Sequence, residues 1–299
     1  MSGIISRPRR PPGWVAPGPV PPGPQGRPEL QPADDESLSY LCGDWRLFQK
    51  RRGHRWSLDD LVTAWVAAPL GEGAEQVLDL GCGQGTVLLL LAWRLPGARL
   101  LGVEAQAERA ALARRSIRYD GVEGRCQVLE GDLRDPALLS ADFQVSLLTG
   151  TPPYFPRGTG TESLQPHALP CRFEVRGGVE AYLEAAARWL APEGSAVFCS
   201  AALERERVEA AAGAAGLSLR DRLEVVPREG KAPLVLVDTF QRTPGPRRER
   251  RLVVRDRSLQ WTGAFQAVRR DFGMPWEPPT SEPGRDPERA LEVVAARKR

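Results

Sequence analysis

Apolar stretches of strand length alternate with amphipathic stretches of helical period through the middle of the chain. The apolar run from Val77 to Leu80 breaks into closely spaced glycines and is followed by an apolar helical run from Thr86 to Leu95. A second strand is predicted over Arg99 to Val103, then a helix over Ala107 to Tyr119 and a third strand over Cys126 to Glu130. This alternation predicts an α/β fold, a Rossmann-like and mostly parallel sheet with helices on both faces.

The same alternation continues on both sides of this central unit. A short helix with Ser57 as its N-cap is predicted ahead of the first strand. Downstream, strands are predicted at Val145 to Thr149 and Ala196 to Ser200, and helices at Val179 to Leu190 and Glu204 to Ala215. The stretches Leu217 to Val226 and Pro233 to Phe240 are predicted to form a hairpin. Gly194 is expected to form the turn between the Val179 helix and the next strand.

Proline and glycine are concentrated outside this region. The segment 1–37 is predicted to be a disordered, proline-rich tail, because its prolines prevent both a helix and a sheet ladder. One domain is expected over 38–277, and 278–299 is expected to be a tail that is disordered or forms a short helix. Within the domain, the loop Pro156 to Gly178 is long enough to be a lid over a substrate, and simple disorder explains its composition equally well.

Composition limits the classes of protein to consider. The chain has 299 residues, 41% of them hydrophobic, which is enough for a substantial core. No apolar run reaches the roughly 18 residues of a membrane helix, and the first ten residues lack the apolar segment of a secretory signal. The five cysteines are far apart and only two histidines are present, so we expect reduced thiols, a cytoplasmic location and no bound metal.

Charge is informative only locally, because the net charge is a mild +3. Two basic clusters stand out, one of Lys50, Arg51, Arg52, His54 and Arg55 and the other of Arg247, Arg248, Arg250 and Arg251. Either cluster could neutralise RNA phosphates, and either could equally be a solvated face.

The glycine turn after the first strand is a candidate ligand site. It reads D-x-G-x-G-x-G, with Asp79 ahead of Gly81, Gly83 and Gly85. Side chains at these glycines would keep the backbone away from a bound ribose or adenine, so the turn is expected to cradle a nucleotide-like ligand. The spacing differs from the G-x-G-x-x-G of dinucleotide sites. The alternative is an ordinary strand-to-helix turn.

Acidic residues follow the next two strands at the same predicted edge of the sheet. Glu104 ends the second strand, where a carboxylate can accept hydrogen bonds from both hydroxyls of a ribose. Asp132 follows the third strand, where a carboxylate can accept from an adenine amino group, and Leu133 beside it is a further predicted contact. Any one of these acids could instead cap a helix, but acids at successive strand ends favour a ligand site.

A second diagnostic stretch, G-T-P-P-Y-F, covers Gly150 to Phe155 at the end of the Val145 strand. Its two prolines fix an extended backbone, so the Pro152 carbonyl has no local partner and can face a substrate. Tyr154 offers a flat face on which a planar group can stack. The alternative is a proline-stiffened loop without a chemical role.

Together these motifs resemble those of the class I S-adenosylmethionine-dependent methyltransferases. The glycine turn is similar to their motif I, in which the acid at position 79 lies near the methionine end of the cofactor. T-P-P-Y is similar to the N-P-P-Y motif IV of amino methyltransferases. The chain most resembles the bacterial tRNA(Val) adenine-37 N6-methyltransferase family, over roughly residues 48 to 276. Besides the two motifs, the matching residues are Gln49, Gly53, Arg55, Ser57 and Asp59 of the entry segment, Arg172 with Phe173, and the closing stretches Arg251 to Asp256 and Arg270 to Phe272.

The resemblance implies a fold, a cofactor and a partner. The fold would be the seven-stranded class I sheet, whose last strand runs antiparallel, and the cofactor S-adenosyl-L-methionine. The reaction would be methylation of adenine N6 in RNA, and in particular in tRNA. The enzyme would act as a monomer. The implied catalytic residues are Thr151, Pro152, Pro153 and Tyr154, and the implied substrate contacts are Tyr154, Phe155, Arg55 and Arg172.

One position departs from this pattern. Thr151 stands where the family has asparagine, whose oxygen accepts one hydrogen of the target amine while the first proline carbonyl accepts the other. Threonine offers a single hydroxyl on a shorter side chain. The alternatives therefore stay open: a methyltransferase acting on a protein amide or another nucleobase amine, or a module that binds cofactor or RNA without catalysis.

Overall fold

A computed structural model of the chain describes residues 10–154 and 174–276, and the backbone of two short strands at 4–5 and 292–293. The strands are β1 Ile4–Ile5, β2 Glu36–Tyr40, β3 Arg46–Lys50, β4 Gln76–Leu80, β5 Arg99–Glu104, β6 Cys126–Glu130, β7 Val145–Gly150, β8 Leu190–Ala201, β9 Ser218–Val226, β10 Val235–Gln241, β11 Arg248–Val253 and β12 Glu292–Val293. The helices are α1 Leu58–Leu70, α2 Thr86–Arg94, α3 Ala107–Asp120, α4 Val179–Trp189, α5 Arg205–Ala214 and α6 Gly263–Asp271, with 3-10 turns at Pro28–Leu30 and Ala202–Glu204.

Nine strands form the central sheet, in the order β12-β11-β9-β10-β8-β7-β4-β5-β6. Neighbours from β6 to β8 are parallel, whereas β10 runs antiparallel to both β8 and β9. This topology confirms the predicted α/β class, the mostly parallel sheet and the closing hairpin of β9 and β10. The carboxyl ends of β4 to β8 share one edge, where ligands bind in open parallel sheets.

The sheet is larger than the seven strands expected, because β11 pairs in parallel with β9 and β12 pairs with β11. The sequence does not predict β11, because its run of arginines is typical of a solvent-exposed segment. In the fold, two of these arginines pair with acids of β9: Arg250 with Asp221 at 2.9 Å and Arg251 with Glu224 at 2.8 Å. The second basic cluster is therefore partly neutralised within the sheet.

Two hydrophobic cores lie on opposite faces of the sheet. One contains buried side chains of α1, α2, α3 and α6, and the other contains those of α4 and α5. On β4, Val77 belongs to the first core and its neighbour Leu78 to the second, as the two-residue period of a strand requires. None of the helices in the described ranges has the length and apolarity that a membrane crossing needs.

A smaller sheet of β1, β2 and β3 extends across the expected domain boundary at residue 38, and the structure differs here from the expected disordered tail. From Arg10 onward the chain lies against the domain. Gly18 and Gly43 leave room for the Trp93 ring, Gly23 N–H donates to the Tyr119 carbonyl at 3.1 Å, and Leu30 is only 1% exposed. Side-chain and backbone contacts with the domain thus hold this segment in place.

Two local expectations have different outcomes. Ser57 precedes α1 as predicted, and the Asp60 carboxylate accepts from the Ser57 N–H at 3.0 Å, which forms half of a capping box. The turn predicted at Gly194 is wrong, because α4 ends at Trp189 and β8 begins at once. Gly194 instead lies inside β8, where pairing with β7 shifts register between Val145 and Leu147.

Candidate active site

The glycine turn lies between β4 and α2, the strand-to-helix connection that its sequence predicts. Gly81, Gly83 and Gly85 have φ values of +60°, +58° and +88°, in the left-handed region that disfavours side chains. A Cβ on Gly81 would lie 2.1 Å from the Tyr182 hydroxyl, and one on Gly83 would lie 2.7 Å from Arg109 Nη2. Because these glycines lack side chains, Tyr182 and Arg109 can pack against the turn, and a ligand can approach its backbone.

A cavity of about 820 Å³, part of it open to solvent, lies beside this turn at the carboxyl edge of the sheet. Of the predicted site residues, the cavity is lined by Gly81, Gly83, Glu104, Asp132, Leu133, Thr151 and Pro153. The fold thus brings the glycine turn, two strand-end acids and the start of the T-P-P-Y loop to one cavity. Asp79, Gly85, Pro152, Tyr154 and Arg55 are not part of its lining.

Glu104 is fixed at the end of β5 by the backbone. Its Oε2 accepts from Gly83 N–H at 2.8 Å and its Oε1 accepts from Gln106 N–H at 2.7 Å, and the residue is only 6% exposed. A carboxylate oxygen can accept more than one hydrogen bond. Each oxygen therefore keeps acceptor capacity toward the cavity.

Asp132 is already engaged in an ion pair. Arg134 Nη2 lies 2.6 Å from Asp132 Oδ2, and Arg134 Nε donates to Oδ1 at 2.9 Å. These hydrogen bonds hold the pKa of Asp132 below its usual range. Asp132 lines the cavity as an ionised group whose acceptor capacity is shared with Arg134.

Asp79 lies beneath the turn rather than in the cavity lining. It is 2% exposed, and its Oδ1 accepts from the Thr149 hydroxyl at 2.8 Å. Its Oδ2 is buried and has no hydrogen-bond partner among the described residues. Burial raises the pKa of Asp79 to about 7, with Glu104 adding to the rise and the Thr149 hydrogen bond opposing it.

Tyr154 faces a second, smaller cavity of about 220 Å³, whose lining also includes Pro152. The Tyr154 hydroxyl donates to Asp59 Oδ2 at 2.7 Å, and Cys199 Sγ of β8 lies 3.1 Å from the Tyr154 hydroxyl oxygen. Burial holds the pKa of Tyr154 well above its usual value, so the hydroxyl keeps its proton. The T-P-P-Y loop therefore divides, with Thr151 toward the first cavity and Tyr154 toward the second.

The other predicted substrate residues are placed differently. Arg55 Nη1 donates to the Ser37 hydroxyl at 3.0 Å and Nη2 to the Ser39 hydroxyl at 3.1 Å, so Arg55 ties the first basic cluster to β2. Phe155 and Arg172 lie outside the described residues, as does most of the predicted lid. Among the ranges that the structure describes, no group of His, Cys, Asp and Glu side chains has an arrangement suited to a metal ion.

Sequence reasoning missed several residues that line the first cavity, notably Asp60, Gln84, Arg109 and Tyr182. Tyr182 and Arg109 look like members of amphipathic helices, and nothing in the periodicity separates a residue that faces the core from one that reaches the glycine turn. Asp60 looks like a capping acid, which it also is.

The residues present fit S-adenosylmethionine on three observations. The turn carries no side chains at Gly81 and Gly83, Glu104 keeps acceptor capacity toward a ribose, and Arg109 places a buried cation in the same cavity. Chemically, the site can hold a nucleoside whose other end carries charged groups.

Comparison with known proteins agrees with this fit. A family model described as "Methyltransferase domain" matches residues 77–164. A tRNA1(Val) (adenine(37)-N6)-methyltransferase of Tolumonas auensis is 29% identical over 241 residues, 78% of this chain and 96% of its own. A 4-amino-L-phenylalanine/4-methylamino-L-phenylalanine methyltransferase of Streptomyces pristinaespiralis is 36% identical over 143 residues, 46% of this chain and 45% of its own. The crystal structure of a protein described as a "predicted O-methyltransferase" from Agrobacterium tumefaciens has a TM-score of 0.54 and 20% identity over 73% of this chain and 98% of its own, a likeness of fold.

The chain is an S-adenosylmethionine-dependent methyltransferase with the Rossmann-like fold of class I. Within that class it resembles the bacterial tRNA1(Val) adenine-37 N6-methyltransferases.

Proposed function

We propose that this methyltransferase transfers a methyl group to N6 of an adenine in tRNA. The observation that carries the proposal is that Thr151 and Pro153 of the T-P-P-Y loop line the same cavity as the glycine turn. A nitrogen held at this loop is then next to the cofactor. Relatives named as tRNA1(Val) adenine-37 methyltransferases that align over most of the chain support adenine as the target.

On the cofactor side, the proposed contacts follow the strand ends. Glu104 accepts from the ribose hydroxyls, and Asp132 with Leu133 receives the adenine ring of the cofactor. Gly81 and Gly83 give the ligand access to the backbone, while Gly85 begins α2 in the left-handed conformation. Asp79 acts from below the turn, where its buried charge favours the cationic end of the cofactor.

On the acceptor side, we assign the target amine to the oxygens of Thr151 and Pro152. The Pro152 carbonyl and the Thr151 hydroxyl each accept one N–H, while Pro153 keeps the backbone extended. Tyr154 stacks on the adenine, and its ring is held by the hydrogen bond from its hydroxyl to Asp59. Phe155, Arg172 and Arg55 complete the proposed contacts with RNA.

The chemical step needs positioning more than proton transfer. S-adenosylmethionine, when bound, supplies a methyl group on a sulfonium that is already electrophilic. Thr151 and Pro152 draw the amine lone pair out of conjugation with the ring and aim it in line with that methyl. Because the methylated nitrogen is a strong acid, its proton can leave to water, and a dedicated base such as histidine is not required. The target adenine must be turned out of its stack to reach the loop.

Several remaining assignments belong to the same proposal. The catalytic domain spans 38–277, the protein acts as a monomer, and its partner is tRNA in the cytoplasm. The first basic cluster, which is anchored through Lys50 and Arg55, contributes to RNA binding.

A labelling experiment on defined RNA tests the proposed function. The full chain is incubated with methyl-labelled S-adenosylmethionine and an unmodified valine tRNA transcript, and the RNA is digested to nucleosides for mass spectrometry. We expect N6-methyladenosine, and its absence from a transcript in which adenosine 37 is replaced by guanosine. Label in another nucleoside would redirect the target, and no label in RNA despite cofactor binding would favour the non-catalytic module.

A second candidate is methylation of an amine on a small aromatic ring. It is favoured by the 36% identity to the 4-amino-L-phenylalanine methyltransferase and by Thr151 in place of the family asparagine. Both candidates share an amine conjugated to an aromatic ring, which the loop would hold in the same way. Incubating the chain with 4-amino-L-phenylalanine and with the tRNA transcript in parallel separates the two, as does label transferred to protein for the amide alternative.

A further inference from the structure

A buried arginine in the first cavity forms no hydrogen bond or ion pair within the described residues. Arg109, in the first turn of α3, is 9% exposed and lines the cavity beside Gly83. Among the described residues, its guanidinium makes no hydrogen bond and no ion pair, although a guanidinium carries five N–H donors. Burying an uncompensated cation is unfavourable, so the site is incomplete without an anion.

The acids around the cavity do not supply that anion, because none of them forms an ion pair with Arg109 in the described ranges and each binds another donor. Glu104 accepts from Gly83 and Gln106 N–H groups. Asp60 accepts from Ser57 N–H at 3.0 Å, and Asp132 is paired with Arg134. None of these three carboxylates forms an ion pair with the Arg109 guanidinium, which lines the cavity.

The chemistry of the cofactor limits what the anion can be. S-adenosylmethionine carries a positive sulfonium, a positive ammonium and one negative group, the carboxylate of its methionyl end. The cavity lining contains three acids, which suit the two cations, and two arginines, of which Arg176 donates to the Ala105 carbonyl at 3.4 Å. Arg109 has no such acceptor among the described residues and suits the carboxylate. Arg109 lies against the glycine turn at Gly83, and its charge also acts on Asp60 at the start of α1.

We propose that Arg109 binds the carboxylate of the methionyl end of the cofactor through charge-assisted hydrogen bonds. This inference rests on the cofactor and not on the identity of the methyl acceptor. The planar guanidinium matches a carboxylate in two-point geometry, which a lysine does not reproduce. The contact fixes the methionyl end beside Gly83, leaving the sulfonium between the glycine turn and Thr151.

The test compares two ligands that differ by the carboxylate alone. Calorimetry on the full chain measures the affinity for S-adenosylmethionine and for its decarboxylated form, which keeps the sulfonium and the amine. For wild type, we expect decarboxylation to weaken binding about 10- to 100-fold, the range of a charge-assisted hydrogen bond. For Arg109→Gln, we expect the affinity for S-adenosylmethionine to fall by a similar factor and that for the decarboxylated form to stay unchanged.

Matched variants separate recognition from folding. Arg118→Gln removes an exposed arginine from the same helix and is expected to bind both ligands as wild type does. Arg109→Lys should recover part of the loss. Without ligand, Arg109→Gln is expected to melt at or above the wild-type temperature, since it removes an unpaired buried cation.

Three results would overturn the proposal. Equal losses for both ligands, with a lower melting temperature, would make Arg109 a support for the glycine turn. Unchanged affinity for S-adenosylmethionine together with weaker tRNA binding would assign Arg109 to a phosphate. If wild type binds neither ligand, the cofactor assignment fails as well, whereas failure of the tRNA assay alone leaves the Arg109 comparison intact.

Discussion

The glycine turn and the T-P-P-Y loop meet at one cavity, but they are held in place by different means. In the turn, Glu104 is fixed by two backbone N–H groups, and the glycine φ values follow from the strand-to-helix connection. In the loop, Tyr154 is fixed by side chains of other elements, with its hydroxyl in contact with Asp59 at the start of α1 and with Cys199 of β8. The cofactor side is thus held by the backbone of the sheet and its strand-to-helix connection, whereas the acceptor side depends on side chains from other elements.

This difference has a functional consequence. A site built from backbone donors tolerates few changes at its carboxylates, because each loss leaves buried groups without partners. A site held by side chains of separate elements can be adjusted by single substitutions. We therefore expect larger effects on the cofactor side than on the acceptor side.

The largest effect is expected from Glu104→Ala. The change removes the proposed acceptor of both ribose hydroxyls and leaves the Gly83 N–H without its partner. Two charge-assisted hydrogen bonds correspond to a loss of more than about 100-fold in cofactor affinity, measured by calorimetry.

Glu130→Ala is the matched control, since Glu130 is an exposed acid at the end of the neighbouring strand β6. It should bind the cofactor as wild type does. If Glu104→Ala also keeps wild-type affinity, the ribose assignment is wrong and the cavity holds its ligand elsewhere.

The next effect concerns Asp79 and the pH dependence of stability. Its pKa is raised to about 7 in the folded protein, above its unfolded value, so the folded state binds the extra proton between about pH 4 and 7. Wild type should therefore lose stability as pH rises through this window. We expect Asp79→Asn to lack this loss. Between pH 5 and pH 8, its free energy of unfolding should therefore rise by about 2–3 kcal/mol relative to that of wild type.

Urea unfolding at the two pH values measures this difference. Asp142→Asn, which changes an exposed acid, should follow wild type at both. Parallel behaviour of wild type and Asp79→Asn would show that Asp79 is ionised in the folded protein throughout, in contact with a cation.

The sequence predicted the two regions to different depths. For the turn, the sequence predicts the strand, the three closely spaced glycines and the acid that ends β5, because local steric rules dictate them. What Glu104 bonds to was not readable, and neither was the position of Asp79 below the cavity. Arg109 was missed entirely, because a long side chain reaches the site from a helix whose period predicts only packing.

For the loop, the sequence predicted its place at the end of β7 but not its division between two cavities. Asp59 and Cys199 approach Tyr154 from α1 and β8, which are 95 and 45 residues away in sequence. Such contacts depend on the tertiary fold. The same reason explains why the strand β11 was missed, since its arginines read as exposed until acids of β9 are placed beside them.

A smaller effect is expected at Tyr154, where two variants separate the ring from the hydroxyl. Tyr154→Ala removes the stacking face and should slow methyl transfer by about 10- to 100-fold, with cofactor affinity unchanged. Tyr154→Phe keeps the ring but loses the hydrogen bond to Asp59, and should cost only about 5- to 10-fold.

Asp59→Asn supplies the control for that contact. If the hydroxyl acts through Asp59, the losses from Tyr154→Phe and Asp59→Asn should not add in the double variant. Single-turnover rates with saturating cofactor provide the measurement. Additive losses would mean that the hydroxyl acts on the substrate directly.

The smallest effect is expected at Thr151. Thr151→Ala removes one neutral acceptor from the proposed amine site, so the transfer rate should fall only about 5-fold, the cost of one ordinary hydrogen bond. Thr151→Ser keeps the hydroxyl and should retain most of the rate. Thr151→Asn restores the side chain of the resembled family, with an amide oxygen of longer reach, and should exceed wild type on the tRNA transcript. A Thr151→Asn variant that instead loses activity on tRNA while wild type methylates 4-amino-L-phenylalanine would show that the threonine selects a different amine, and that the acceptor side diverged while the cofactor side did not.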